Sequence, residues 1–265
     1  MVKKIEIIVI GNEILIGKTR DTNSSWLAKH ITKFGHIISR ITTIPDDIDI
    51  IASTIRETLT RSPNLIITSG GLGPTWEDLT LKGIAGGLNR ELKMDQMAYS
   101  MLKRRYDNIH KKGITKVGGM TKTREKMAYL PEGSYPLSNP VGAAPGVEIV
   151  EGDCTIICLP GVPAELKGIF KLHVVPIIKK EAGKFVEKTL DFQGIGESEV
   201  APMISLIRKQ FPKLYFKTHP KLTEQLDIEL SITAFNIEDA ELQMNQAIEL
   251  VKKKILEADG RIISE

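Results

Sequence analysis

The feature that most constrains the fold of this chain is an apolar run that ends in three glycines. Residues 65–69 read LIITS and are followed directly by Gly70, Gly71 and Gly73, with only Leu72 between them. A short apolar segment bounded by glycine and proline is typical of a buried strand in a parallel sheet. Because they lack side chains, the glycines let backbone N–H groups approach a phosphate closely or adopt positive φ. Open α/β sheets bind ligands at the carboxyl ends of their strands, so the run predicts a ligand-binding loop.

Carboxylates follow the glycines in the same loop. Thr75, Glu77 and Asp78 come shortly after Gly73. We expect Asp78, with Thr75 or Glu77, to open the next helix, and a carboxylate beside a phosphate cradle is what a divalent cation needs to bridge protein and substrate. The motif is neither a Walker loop, since no Gly-Lys-Ser/Thr follows, nor a G-x-G-x-x-G fingerprint. A plain glycine-rich turn capped by an aspartate explains the same residues equally well.

The composition is that of a globular, mildly basic protein. With 265 residues, of which 42% are hydrophobic, the chain can bury the core of one large or two modest domains. A formal net charge of +3 favours a small anionic ligand without demanding nucleic acid. No stretch approaches the apolar length of a membrane span, and we expect a cytoplasmic protein. Cys154 and Cys158 would lie roughly 13 Å apart on a strand, so we expect buried core thiols and no disulfide.

Strand and helix patterns alternate along the first part of the chain. Strand-like residues 5–10, 36–44 and 65–69 are each followed by a helical pattern. The order β-α-β-α-β-α predicts an α/β domain at residues 1–180, with a parallel sheet and helices on both faces.

The hydrophobic pattern of the sequence changes after residue 182. Residues 186–192, 214–216 and 226–233 alternate as strands with one wet face, and helical patterns cover 197–210 and 238–257. The resulting order, β-α-β-β-α, predicts a separate small α+β domain at residues 185–265.

A second candidate loop follows the first predicted strand. Gly11 and Glu13 come directly after the strand, and Asp21, Thr22 and Asn23 precede the next helical pattern. The loop lies at the same edge of the predicted sheet as the glycine loop, which favours a pocket there. At least one of the three short polar residues is expected only to cap the helix.

A third candidate loop follows the second predicted strand. Asp46 and Asp47 come after Pro45, and one of them is expected to cap the helix that begins near Ile48. This strand end lies at the same edge as Asp78, and two carboxylates that reach one site would hold Mg²⁺ or a similar hard cation.

Two later loops are rich in proline and glycine. Residues 139–146 read NPVGAAPG, and residues 159–165 read LPGVPAE. Rigid Pro-Gly turns let a backbone wrap a flat ring while offering N–H and C=O groups. Taken alone, each segment also fits an ordinary turn.

Together these segments resemble the CinA family of competence/damage-inducible proteins, whose first domain is related to the molybdopterin-binding MoaB, MogA and MoeA proteins. Residues 11–23 resemble the family's G-D-E-L-L-x-G…D-T-N, and residues 68–80 resemble its T-G-G-L-G-P-T-x-D-D-L-T. Residues 139–146 resemble N-x-x-G-x-A-P-G, and residues 159–165 resemble L-P-G-V-P-x-E. The resemblance covers the chain strongly up to about Lys180.

The second half is covered more weakly. Residues 194–199 resemble the opening of the family's KH-like middle domain, whereas the C-terminal deamidase domain of many bacterial members is expected to be absent after Glu265. Asn12 stands where the family has Asp, and Glu77 replaces its first Asp of the pair. The second domain has no G-x-x-G clamp, so we expect it to be structural or dimerising, in a homo-oligomer that binds no nucleic acid and no membrane.

The resemblance implies a metal-dependent nucleotide pyrophosphatase that cleaves ADP-ribose or a related dinucleotide-like diphosphate by water attack. Asp46 and Asp78 are the candidate catalytic residues and metal ligands, with Mg²⁺ as the expected ion and Mn²⁺ or Co²⁺ as alternatives. The candidate substrate-binding residues are Gly11, Glu13, Asp21, Asn23, Gly70, Gly71, Gly73, Thr75, Asn139, Gly142, Gly161, Pro163 and Glu165.

Two other functions fit the same loops. One is a pterin- or nucleotide-binding protein, or a molybdopterin adenylyltransferase, with little hydrolysis of its own. The other is a non-catalytic oligomeric scaffold, which Asn12 and Glu77 favour if they indicate decay of the site.

Overall fold

The computed structural model describes residues 3–221 and 227–265, which form two compact units. The first unit contains the chain up to Thr32 together with His36–Ala182, and the second contains Lys33–Gly35 and Gly183–Glu265. The predicted domains are residues 1–180 and 185–265. Among the described residues, no helix has both the length and the apolar character that a membrane crossing requires.

The first unit is built on a six-stranded sheet with the order β2-β1-β3-β8-β7-β6. The first unit also contains a separate two-stranded antiparallel sheet, formed by β4 and β5. The eight strands are β1 (Lys4–Ile10), β2 (Ile37–Ile44), β3 (Leu65–Ser69), β4 (Leu92–Met94), β5 (Tyr129–Pro131), β6 (Tyr135–Leu137), β7 (Gly146–Glu151) and β8 (Cys154–Leu159).

The sheet is mostly parallel, as predicted, but its far edge is not. Strands β2, β1, β3 and β8 run parallel, whereas β7 is antiparallel to β8 and β6 is antiparallel to β7. Only Gly152 and Asp153 separate β7 from β8. A connection this short can only reverse the chain, because a parallel neighbour needs a crossover of a dozen or more residues.

Eight α-helices belong to the described part of this unit. They are α1 (Asn12–Leu15), α2 (Asn23–Thr32), α3 (Ile48–Thr60), α4 (Thr80–Gly87), α5 (Gln96–Lys111), α6 (Lys122–Glu125), α7 (Pro163–Ile169) and α8 (Val175–Lys179). A π-helical turn, Phe170–Val174, joins α7 to α8. Asp47 caps α3 by accepting hydrogen bonds from two backbone amides, which settles which of the two adjacent aspartates is the cap.

Burial along β1 explains the position of the core. Successive side chains of a strand point to opposite faces of the sheet, and Ile7 and Ile8 are both fully buried. Ile8 belongs to an apolar cluster that includes Ile51 of α3 and Ile84 of α4. Both faces of the sheet are therefore covered, as the sequence predicts for strands with continuous apolar runs.

The second unit is an antiparallel sheet packed against two helices. Its sheet has the order β10-β11-β9-β12. The elements are β9 (Phe185–Gln193), α9 (Glu197–Gln210), β10 (Tyr215–Pro220), β11 (Ile228–Phe235), α10 (Ala240–Glu257) and β12 (Arg261–Ser264).

The order of these elements agrees with the predicted β-α-β-β-α, followed by one further strand. Strand β11 alternates between fully and partly buried residues, as predicted, although Leu226, where the predicted strand began, lies outside the described residues. The KH-like character of this unit stays a prediction.

The two cysteines are buried thiols, as expected, and they give a first testable prediction. Burial raises the pKa of Cys154 to about 11 and that of Cys158 to about 12. At pH 8 the fraction of each cysteine that is present as the reactive thiolate is then about one in a thousand or lower. We expect Ellman's reagent to leave both thiols of the native protein unmodified over an hour and to titrate both after unfolding in guanidinium chloride. Stoichiometric reaction of the native protein within minutes would contradict the buried placement.

Candidate functional site

The loops that follow β1, β2 and β3 meet at one edge of the sheet and line a common cleft of about 450 Å³. This volume is within the usual range for small-molecule sites. Asp46 and Asp78 both line the cleft, as predicted from the shared edge. The other predicted site residues that line it are Gly11, Glu13, Gly70, Gly71, Gly73, Thr75, Gly161 and Glu165.

The remaining predicted residues do not line this cleft. Asp21, Asn23 and Pro163 line a smaller neighbouring cavity of about 90 Å³. Asn139 and Gly142 line neither cavity. Asn139 donates a hydrogen bond to Glu165, and the Gly142 amide donates to Asn139.

The glycine loop has a backbone that only glycine adopts without strain. Gly70 has φ 114° and Gly71 has φ 64°, which confirms the positive φ expected of these residues. A Cβ at Gly70 would overlap the carbonyl oxygen of Ile10, and one at Gly71 would overlap Oγ1 of Thr80. Thr80 is fully buried and donates from Oγ1 to the carbonyl oxygen of Gly70 at 2.8 Å. The loop is thus fixed between β1 and the start of α4.

Asp78 organises this loop and does not cap a helix. Its Oδ1 accepts a hydrogen bond from Gly73 N at 2.8 Å, and its Oδ2 accepts from Thr75 N at 2.8 Å and from Thr75 Oγ1 at 2.7 Å. Helix α4 begins two residues later, its N-cap residue is Leu79, and no side chain caps it. The expectation that Asp78, Thr75 or Glu77 opens the helix is therefore wrong. The hydrogen bonds that the carboxylate accepts instead hold the glycine loop folded back on itself.

Asp46 lies among other carboxylates. Its Oδ2 accepts a hydrogen bond from Asn12 N at 2.8 Å. Burial raises the pKa of Asp46, and the negative charges of Glu13, Asp78 and Glu77 raise it further against the lowering effect of the Asn12 amide. Asp46 is thus within electrostatic range of three other carboxylates that line the cleft.

The fit of these residues to a divalent cation is partial. Among the described residues, no group of three or more histidines, cysteines or acidic residues is arranged to hold a metal by itself. Mg²⁺ usually binds through one or two carboxylates and completes its shell with waters and substrate phosphates. Asp46, whose carboxylate accepts one hydrogen bond, suits that role better than Asp78, whose carboxylate accepts three.

Burial and charge repulsion at Asp46 give a second prediction. A raised pKa means that the folded protein disfavours the ionised carboxylate, so Asp46→Asn should stabilise the protein in EDTA while its amide oxygen still accepts from Asn12. We expect the melting temperature at pH 7 to rise by about 2 °C, and Mg²⁺ to stabilise wild type more than the variant. Asp153→Asn, an exposed turn position with the same chemical change, is the control. A lower melting temperature for Asp46→Asn in EDTA would show that burial and repulsion do not disfavour the ionised carboxylate.

Another part of the cleft lining is built around Glu165, near the start of α7. Its Oε2 accepts a hydrogen bond from Asn139 Nδ2 at 2.7 Å. Asn139 Oδ1 in turn accepts from the amides of Val141 and Gly142 at 2.9 and 2.8 Å. A Cβ at Gly142 would overlap the Glu165 carboxylate, so a larger residue there would displace this side chain. The network orients one carboxylate at the cleft and leaves its Oε1 available.

The polar residues beside α2 have structural tasks. Asp21 accepts hydrogen bonds from the amide and hydroxyl of Ser24, so it caps the start of α2. Asn23 Nδ2 donates to Ser69 Oγ at 3.0 Å and to the carbonyl oxygen of Gly161 at 2.7 Å. Asn23 therefore ties α2 to the end of β3 and to the loop that carries Gly161.

Sequence reasoning missed Tyr106, which lies on α5 and lines the cleft. The guanidinium of Arg124 lies 3.8 Å from the centre of its ring. Burial raises the pKa of the Tyr106 hydroxyl. The spacing of Tyr99, Leu102 and Tyr106 indicates one apolar face of a helix and could have identified Tyr106. The charged residues 103–105 interrupt this apolar pattern in the sequence.

Comparisons with known proteins show the family of the chain. The family described as "Probable molybdopterin binding domain" matches residues 6–180. A protein from Sulfurisphaera tokodaii is 37% identical over 263 residues, 97% of each chain, and one from Aeropyrum pernix is 37% identical over 98% of this chain and 96% of its own. The crystal structure of the protein CinA, of unknown function, from Thermoplasma acidophilum is 36% identical and covers 66% of this chain and 99% of its own with a TM-score of 0.59. The chain therefore belongs to the molybdopterin-binding domain family, with a CinA-like domain at residues 6–180.

Proposed function

We propose that this protein binds a phosphate-bearing pterin or nucleotide in the 450 Å³ cleft. The observation that carries the proposal is a pair of backbone amides in the glycine loop. In the described part of the chain, the N–H groups of Gly71 and Leu72 have no acceptor, while Gly70 N donates to Leu159 O and Gly73 N to Asp78. Successive free amides in a tight glycine turn are a typical anion site.

The rest of the cleft suits a flat ring that carries N–H groups. Tyr106, Met127 and Ala144 give it apolar surface, and the oriented Glu165 carboxylate can accept from ring or amino N–H groups. Pterins and purines both present such donors. Membership of the molybdopterin-binding domain family supports a pterin among the candidate ligands.

Metal-dependent cleavage of a diphosphate, such as that of ADP-ribose, is the second candidate. The carboxylates of Glu13, Asp46, Glu77 and Asp78 favour it, because they would repel an anion in this cleft unless a cation came with it. A divalent ion bound with the diphosphate would neutralise its charge and activate the attacking water. Asp46 would hold the ion, and the Gly71 and Leu72 amides would orient the phosphate.

Titration calorimetry with a small panel of compounds tests the proposal. We expect AMP, ADP-ribose and dihydroneopterin triphosphate to bind in the presence of Mg²⁺, and unphosphorylated dihydroneopterin to bind at least 10-fold more weakly, since the free amides select for phosphate. Failure of every phosphorylated compound to bind at millimolar concentration would overturn the proposal. Release of AMP from ADP-ribose with Mg²⁺, Mn²⁺ or Co²⁺ would support the second candidate, and binding without release would leave a binding protein.

A further inference from the structure

One segment of the first unit concentrates positive charge. Residues 103–126, the basic segment, contain nine lysines and arginines and only two acidic residues, whereas the whole chain has 36 basic and 33 acidic residues. The rest of the chain therefore has more acidic than basic residues. Five cations of the basic segment are exposed and form no ion pair in the described part of the chain: Arg104, Lys111, Lys112, Lys116 and Lys122.

The basic segment borders the cleft. Its Tyr106 lines the cleft, and Arg124, which packs on the Tyr106 ring, donates a hydrogen bond to the carbonyl oxygen of Val117. Lys126, at the end of the segment, donates to the carbonyl oxygen of Thr75 in the glycine loop. These contacts hold the loop after α5 beside the cleft.

The cleft itself carries the opposite charge. No lysine or arginine of the described residues lines it. Five acidic residues, the acidic area, do so: Glu13, Asp46, Glu77, Asp78 and Glu165. An acidic area and a basic segment therefore lie side by side on the first unit.

Large apolar side chains are exposed in both regions. Trp76 of the glycine loop is 82% exposed, and Ile16, at the end of α1, is 74% exposed. In the basic segment, Ile114 and Val117 are more than half exposed. Exposed apolar side chains among charged ones are typical of protein–protein interfaces, in which tryptophan is enriched.

We propose that the mouth of the cleft is an interface between two copies of this chain, in which the basic segment of each copy covers the acidic area of the other. A surface with opposite charges side by side is complementary to itself after a two-fold rotation, which is the commonest symmetry of protein dimers. The partner's lysines then supply the positive charge that the cleft lining lacks. This last consequence rests on the proposed function, because it assumes an anionic ligand in the cleft.

Two charge-reversal variants test the pairing. The first is Glu13→Lys with Glu77→Lys in the acidic area, and the second is Lys112→Glu with Lys116→Glu in the basic segment. All four side chains are exposed and form no hydrogen bond or ion pair among the described residues, so both variants should fold.

Sedimentation velocity measures the association. We expect wild type to dimerise at micromolar concentration and each variant alone to associate at least about 10-fold more weakly, because like charges then face each other. An equimolar mixture of the two variants should dimerise again. In the mixed pair each altered region faces a region of opposite charge.

A matched control makes the same charge change elsewhere. Lys29→Glu with Lys171→Glu alters two exposed lysines that lie outside the basic segment and do not line the cleft, and it should dimerise as wild type does. Trp76→Ala should weaken the dimer by at least about 10-fold, since tryptophan is a frequent hot spot of interfaces. The interface is refuted if wild type is monomeric at about 100 μM, if either charge variant dimerises as wild type does, or if the mixture stays monomeric.

AMP tests whether the partner completes the cleft. If it does, saturating AMP with Mg²⁺ should tighten dimerisation of wild type by at least about fivefold, because ligand and partner strengthen each other's binding by the same factor. AMP that binds in calorimetry but leaves dimerisation unchanged would refute this completion. Failure of every phosphorylated compound to bind would refute the proposed function instead, and the mixing experiment, which uses no ligand, would still decide the interface.

Discussion

Gly70→Ala should lower the free energy of unfolding by about 3 kcal/mol or more, which is on the order of 10 °C in melting temperature. Gly70 has φ 114°, a backbone conformation that strains any residue with a Cβ, and the added methyl group would overlap the carbonyl oxygen of Ile10. The backbone fixes the position of the added Cβ, and the oxygen that it overlaps belongs to a backbone carbonyl, so no side-chain rotation relieves the overlap. Chemical denaturation of wild type and variant measures the loss.

Gly86→Ala is the matched control for this prediction. Gly86 is an exposed residue within α4, it has no positive φ, and a Cβ there would meet open space. Alanine should therefore stabilise the protein by up to about 1 kcal/mol, because glycine has a low helix propensity. Equal stabilities for Gly70→Ala and Gly86→Ala would show that the loop does not need its glycine.

Asp78→Asn should reduce the affinity for phosphate-bearing ligands by about 100-fold or more. The carboxylate accepts three hydrogen bonds from Gly73 and Thr75, and an amide would replace one acceptor with a donor that faces these donors. The loop would then lose the conformation that presents its amides. Because hydrogen bonds to a charged group are lost, the free energy of unfolding should also fall by about 1–3 kcal/mol. Calorimetry with AMP measures the loss of affinity, and a denaturation curve measures the change in the free energy of unfolding.

Glu77→Gln is the control for Asp78→Asn. Glu77 lines the same cleft but forms no hydrogen bond with the loop in the described part of the chain. Its replacement removes one negative charge and should change stability by less than about 0.5 kcal/mol. If the two variants bind AMP equally and are equally stable, Asp78 does not organise the loop.

The sequence was informative where local chemistry determines the structure. The apolar runs and their order predicted the alternating α/β unit, and the parallel direction of β1, β2 and β3 placed Gly11, Asp46 and Gly70 at one edge. The glycines predicted positive φ because few other residues adopt it. These predictions needed no knowledge of distant contacts.

Other features depend on contacts that a local pattern does not encode. Strands β4, β5 and β6 have three residues each, too few to show a period of two. Asp78 follows a glycine loop just as a helix cap would, and only the folded loop shows that its partners are Gly73 and Thr75. Tyr106 reaches the cleft through the packing of α5.

The most direct test of the account is a crystal structure of the protein with AMP and Mn²⁺, whose anomalous signal locates the ion. We predict that phosphate oxygens lie about 2.9 Å from the backbone nitrogens of Gly71 and Leu72, and that the Mn²⁺ peak lies beside Asp46. A phosphate that binds away from the glycine loop and accepts no hydrogen bond from the Gly71 and Leu72 amides would contradict the account.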